Sequence, residues 1–292
     1  MAQLGARLDG IEEVVGSNPI GSTIHFFGRI TLVKRALPSL AALLLAFVAS
    51  SPISAQASPR VVHVFVALAD NQHQGIVPVP AKLGDGEVPS ANLYWGAAYG
   101  VRTFFRSSAD WALLSVGRGP KPEILERCVF KNRNADVYLV ADAYEGSKIR
   151  AAVSDFLAAA AGQNPQSLPL QSGETIPAGG ASDLIAYVGH DAFMDFQISP
   201  IRGKQAQNPR SVMILACASK QYFTSYLRET GAQPLLWTTG LMAPEAYTLK
   251  AALEGWMAHE DGSAIENRAA RAYDKYQHCG LQAAQRLFTT GW

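Results

Sequence analysis

The sequence predicts an α/β protein: a three-layer sandwich with a mostly parallel sheet covered by helices on both faces. Two observations carry this. Five short apolar segments, rich in β-branched and aromatic residues and closed by turn residues, occupy 61–69, 135–144, 183–189, 211–217 and 234–241. They are nearly continuous in apolarity rather than alternating, as strands buried on both faces are. Between and after them run helical patterns, and strands alternating with helices build parallel sheets.

The elements follow in order. Residues 61–69, VVHVFVALA, give the first strand, and 93–106, LYWGAAYGVRTFFR, the first helix. The strand at 135–144 precedes a helix over 145–161 with Ile149, Val153, Phe156 and Leu157 on one face. Residues 164–180, NPQSLPLQSGETIPAGG, are rich in Gly, Pro, Ser and Gln and read as a loop. After the strands at 183–189 and 211–217, Tyr222, Phe223, Tyr226 and Leu227 line up along a helix over 220–229. Pro244 is expected in the first turn of the next helix, and Asp261 or Ser263 caps the last one. There is no internal repeat, and 58–292 reads as one domain.

The first 57 residues have another character. Lys34 and Arg35 precede an apolar run at 36–49, and Ala55-Gln56-Ala57 closes the stretch. A basic region, a short apolar core and an A-x-A site make 30–57 a secretory signal peptide cleaved after Ala57. An uncleaved anchor is the alternative, although the run is short of the ~20 residues a spanning helix needs. The upstream string VVGSNPIGSTI resembles translated transfer-RNA gene sequence, so 1–29 is expected to be a misassigned extension. The product would be exported, to the periplasm or outside the cell.

Charge excludes some partners. The chain carries 25 Lys and Arg against 24 Asp and Glu, and removing 1–57 leaves 21 of each. A neutral protein has no field for nucleic acid or an anionic membrane surface. No stable membrane insertion is expected after cleavage. Three cysteines, Cys128, Cys217 and Cys279, remain. In an oxidising compartment an odd count suggests one pair and one free thiol. Cys128 with Cys279 would leave Cys217 free, and three reduced thiols is the open alternative.

His190 closes one strand segment and Cys217 the next. In parallel sheets, ligands collect at the carboxyl ends of strands. If the two strands are neighbours, an imidazole and a thiol emerge on one edge, the arrangement that nucleophilic cysteine catalysis requires. A helix starting just after Cys217 is expected to lower its thiol pKa. Backbone N–H groups near Gly189, Asp191 and Cys217 are candidates for an oxyanion hole. The bland alternative is a small buried hydrophobe filling core.

The pair AYVGHDAFMDF and MILACASKQYF is similar to the caspase-like fold of the clan CD cysteine peptidases, which include caspases, legumains, gingipains and clostripain. In these a His ends one strand and a Cys after Ala ends the next. The resemblance implies a His190/Cys217 dyad cleaving peptide bonds of a peptide or protein substrate through a thioester, without a cofactor. It covers about 35 residues at motif level. Family members usually have Gly after the His, where this chain has Asp191, and "ASK" after the cysteine matches no subfamily. A catalytically inactive caspase-like binding or scaffold protein is the competing expectation.

Weaker candidates complete the site. Asp70 and Asn71 end the first strand and are candidates to orient His190 or touch substrate; a plain turn is the alternative. Asp142 ends the second and is a candidate to select a basic side chain, against a solvated loop acid. Trp237 and Thr238 are candidates to wall a pocket. His190, Asp191 and Asp195 offer one imidazole with no second in register, so no metal is expected. His63, inside a strand, reads as a satisfied core residue. No G-x-S-x-G or C-x-x-C occurs.

Overall fold

The computed structural model describes residues 58–203 and 209–292. The expectations for 1–29 and 30–57 lie outside them. The protein is α/β, with a mixed, mostly parallel sheet of eight strands. In chain order these are β1 (Arg60–Ala67), β2 (Trp111–Gly117), β3 (Ile124–Asn132), β4 (Val137–Tyr144), β7 (Leu184–Val188), β8 (Ser211–Leu215), β9 (Gln233–Thr238) and β10 (Phe288–Thr289). A separate hairpin pairs β5 (Pro165–Pro169) with β6 (Thr175–Gly179). The order across the large sheet is β10-β9-β8-β7-β1-β4-β3-β2.

The five strands expected from the sequence form the contiguous parallel block β9-β8-β7-β1-β4. Their continuous apolarity has the stated cause, because both faces are covered. Val62, Val64 and Val66 of β1 pack in the cluster containing α1 (Val101–Ser107), α4 (Ala246–Met257), α5 (Gly262–Gln277) and α6 (Leu281–Leu287). Phe65 and Ala67 face α2 (Ile149–Ala160) and α3 (Ser219–Thr230). Val61 reaches the β5–β6 hairpin through Ile176 and Ala178. The alternation of β1 thus divides its side chains between two apolar layers.

Several elements differ from expectation. Residues 164–180 contain the β5–β6 hairpin rather than a loop; prolines at 165, 169 and 177 are tolerated because each of its strands keeps an open edge. The first helix is only Val101–Ser107, and 93–100 form turns. The helix after Pro244 starts two residues later, behind Glu245, whereas Asp261 does cap α5 by accepting from the Ala264 N–H at 2.8 Å. The antiparallel additions β2, β3 and β10 were not anticipated. All three cysteines are free. Cys128 lies inside the core on β3 while Cys279 is exposed between α5 and α6, so the suggested pair does not form.

Asp142 is likewise misplaced by the sequence reading. It is 1% exposed and accepts from Arg127 Nε and Nη2, both at 2.6 Å. His63 Nδ1 accepts from the Gly179 N–H at 2.8 Å, which leaves Nε2–H to donate to Asp142 at 3.0 Å. Asp142 therefore faces β6 as a structural anion and selects no ligand, and His63 is a satisfied core residue. Burial opposes its charge, yet Arg127 and His63 outweigh this and hold its carboxyl below the usual range. The stabilisation is present above the unfolded value of about 3.9 and is lost as pH falls through the lower folded value. Arg127→Met, which strands the buried carboxylate, is expected to cost about 3–5 kcal/mol in urea unfolding at pH 7; a loss under about 1 kcal/mol would contradict this account.

Candidate active site

β7 and β8 are parallel neighbours paired from Leu184↔Ser211 to Val188↔Leu215. His190 lies two residues past Val188 and Cys217 two past Leu215, so both leave the same edge of adjacent strands. The Gly189 N–H continues the ladder to the Leu215 carbonyl at 3.2 Å. Its φ is +151°, and a Cβ there would approach the Ala67 carbonyl oxygen to 3.0 Å, so glycine suits the turn toward His190. The donation to Leu215 also removes Gly189 from the candidate oxyanion donors. Among the described residues the N–H groups of Asp191 and Cys217 have no intramolecular acceptor.

His190 is 6% exposed and held on two sides. Tyr187 OH donates to its carbonyl at 2.8 Å. Its Nε2 meets Asp195 Oδ2 at 2.8 Å, and the same oxygen accepts from the Gly75 N–H at 3.0 Å. The carboxylate places the imidazole proton on Nε2 and leaves Nδ1 as the basic nitrogen. Asp195 thus orients His190, the role considered for Asp70 or Asn71. Asp195 was missed because it sits beyond a short 3₁₀ turn at Ala192–Met194, whose single turn leaves no sequence period.

Asp70 and Asn71 lie past the end of β1 and help line a cavity of about 300 Å³ together with His73, Gly84, Asp85 and Glu87. Asp70 accepts from His73 Nδ1 at 2.8 Å and from the Gln72 and His73 N–H groups. Asn71 bonds both backbone groups of Val79. The cavity's loop touches the His190 turn through Gly75.

The chain leaves β8 through Ala216 and Cys217 and enters α3 by a sharp elbow at Ala218, with φ 46° and ψ 34°. An L-residue pays on the order of 1 kcal/mol for this left-handed conformation. Buried bonds hold it. The Ser219 N–H donates to Thr238 Oγ1 at 3.1 Å, Ser219 Oγ donates to the Ile214 carbonyl at 3.0 Å, and the Thr238 N–H donates to Ser219 Oγ at 2.9 Å. Thr238 Oγ1 also donates to the Ala216 carbonyl, and the Ala218 N–H to Gly240 O at 2.8 Å. Thr238 is therefore a strut behind the elbow. Trp237 is fully buried against α3 and edge-on to Trp292, so neither residue offers a pocket wall.

The sulfur of Cys217 is half-buried and clasped by one residue: Sγ–H donates to the Met242 carbonyl at 3.5 Å and accepts from the Met242 N–H at 3.4 Å. No hydrogen bond joins it to His190 among the described residues. Burial pushes the thiol up, the Met242 amide pulls it partly back, and the charge of Asp191 adds to the rise. This corrects the expectation of a thiol activated by the helix start: Cys217 lies ahead of the Ala218 elbow rather than in the first turn, and desolvation wins.

Asp191 is fully buried. Its Oδ1 accepts from the Phe193 N–H at 3.0 Å, and Oδ2 has no partner among the described residues. Burial pushes this carboxyl up to about 7, against the Phe193 and Met194 N–H groups and with help from Asp195. Among the described residues no group of three or more His, Cys, Asp and Glu is placed to hold a metal, and no helix is long and apolar enough to cross a membrane. Comparison with family models, curated proteins and solved structures finds no match for this chain.

Two outcomes follow. Thr238→Val leaves the Ala216 carbonyl and Ser219 N–H short of a partner and is expected to cost about 1–3 kcal/mol in denaturant unfolding, whereas Ala218→Gly costs nothing. For Asp191, a folded value raised above the unfolded one makes stability greatest below pH 4 and progressively lost as pH climbs toward 7, by on the order of 4 kcal/mol. Asp191→Asn should remove that part of the pH dependence in urea titrations between pH 4 and 8.

Proposed function

We propose that the chain is an exported cysteine hydrolase of the caspase-like kind, cleaving peptide bonds through a thioester on Cys217. The observation that supports it most is the equal placement of His190 and Cys217 beyond two paired parallel strands, with Asp195 fixing the imidazole tautomer. In this reading His190 Nδ1 takes the thiol proton as the sulfur attacks the substrate carbonyl. The developing oxyanion is met by the N–H groups of Asp191 and Cys217. The imidazolium returns its proton to the leaving amine, and water then hydrolyses the thioester with the same nitrogen as base. Because the free thiol is held up by burial, His190 works as a general base toward a neutral thiol, not as half of a standing ion pair. Substrate entry must also release the sulfur from Met242.

That clasp favours a second reading, a non-catalytic caspase-like binding or scaffold protein, in which the sulfur stays engaged with the backbone. A library of peptides containing every pair of adjacent residues, digested with the chain 58–292 and read by mass spectrometry, separates the two. Defined cleavages are expected, reduced at least about 10²-fold by Cys217→Ser and by His190→Ala. Asp195→Asn should reduce the rate about 10–100-fold by freeing the imidazole to adopt the wrong tautomer. No cleavage by the unmutated chain, or cleavage that survives Cys217→Ala, sinks the peptidase reading.

A further inference from the structure

Asp191 stands where the resemblance leads one to expect glycine, and its chemistry is conspicuous. It is fully buried, one carboxylate oxygen caps the turn at Ala192–Met194, and the other has no partner among the described residues. A desolvated carboxyl with a vacant oxygen is poorly tolerated as an anion and far better tolerated as the acid. The residue follows His190 directly, and His190 and Cys217 lie equally far past the paired ends of β7 and β8. The titratable groups around it come from three elements: His190 and Asp195 on its own segment, Tyr187 on β7 and Cys217 beyond β8, with Tyr94 within electrostatic reach of the sulfur. Among the described residues no lysine or arginine acts on either the carboxyl or the thiol, so nothing nearby offsets a negative charge on Asp191.

We propose that Asp191 is a positioning residue acting through Cys217: as the neutral acid it leaves the sulfur free to ionise, and as the carboxylate it holds the sulfur as a thiol. The residue replacing glycine then sets how far ionisation of the sulfur is held back above neutrality. The inference takes Cys217 as the nucleophile of the reading above, but it concerns ionisation alone. Loss of peptide cleavage and loss of this coupling are therefore separate results.

The test follows the ¹³Cβ resonance of Cys217, assigned with Cys217→Ser, in cysteine-labelled protein from pH 5.5 to 10. In the unmutated protein the resonance should show an inflection near neutrality, where Asp191 titrates, and a thiol transition above the ordinary cysteine value. Asp191→Asn keeps an acceptor for the Phe193 N–H and removes the charge. It should abolish the first inflection and raise the thiolate fraction at pH 8.5 by about tenfold, with little change at pH 5.5. Asp191→Ser, which also keeps a cap, should do the same, and Cys279 should not respond to either. Absence of the neutral inflection in the unmutated protein, or a thiolate fraction unchanged or lowered by both variants, overturns the proposal. A variant that failed to fold would leave the unmutated titration to decide it.

Discussion

Everything at the candidate site depends on the parallel register between β7 and β8. Val188 opposes Leu215 and both face the layer of α1, α4, α5 and α6, while Tyr187 and Ile214 face α2 and α3. Two residues on, Cys217 meets Met242, and His190 follows the turn at Gly189 to meet Asp195. A slip of one residue would invert the side chains of one strand relative to the other and offset the two exits that carry imidazole and thiol. The slip is forbidden by the two apolar layers, each of which would receive the wrong half of a five-residue strand buried throughout. The hydrophobic core thus does chemical positioning.

Burial on both faces also decides what was readable in the sequence. The five parallel strands announce themselves because burial on both faces demands apolar runs. β3 does not, since ILERCVFKN carries Glu126 and Arg127 in mid-strand. Those charges are held in pairs that no local pattern encodes: Arg127 buried with Asp142, and Glu126 half-buried with Arg102 at 3.0 Å and Trp95 Nε1 at 2.8 Å. The β5–β6 hairpin hides behind prolines, and the suggested Cys128–Cys279 bridge failed because position in a sheet, not count, decides which sulfurs meet.

At the site, residues at strand ends could be read and their orientations could not. His190 and Cys217 follow from where two apolar runs stop. Asp142, Trp237 and Thr238 also sit near strand ends, but their side chains turn to β6, to α3 and to the elbow, a choice made by pleat phase and by partners distant in sequence. Asp195 and Met242 left no signal: one acts from beyond a single turn, the other through its main chain. The orphan oxygen of Asp191 is invisible in sequence, where an aspartate beside a histidine looks like any loop acid.

The bond from Gly75 to Asp195 has a mechanical consequence. A Cβ at position 75 would come within 2.5 Å of Asp195 Oδ1, so the loop beyond β1 presses backbone directly on the carboxylate that steers the imidazole. The segment that lines the 300 Å³ cavity through Asp70 to His73 therefore runs straight on to the amide that meets Asp195. One main-chain amide thus joins the loop after β1 to the carboxylate that holds the ring, two segments 120 residues apart in the chain.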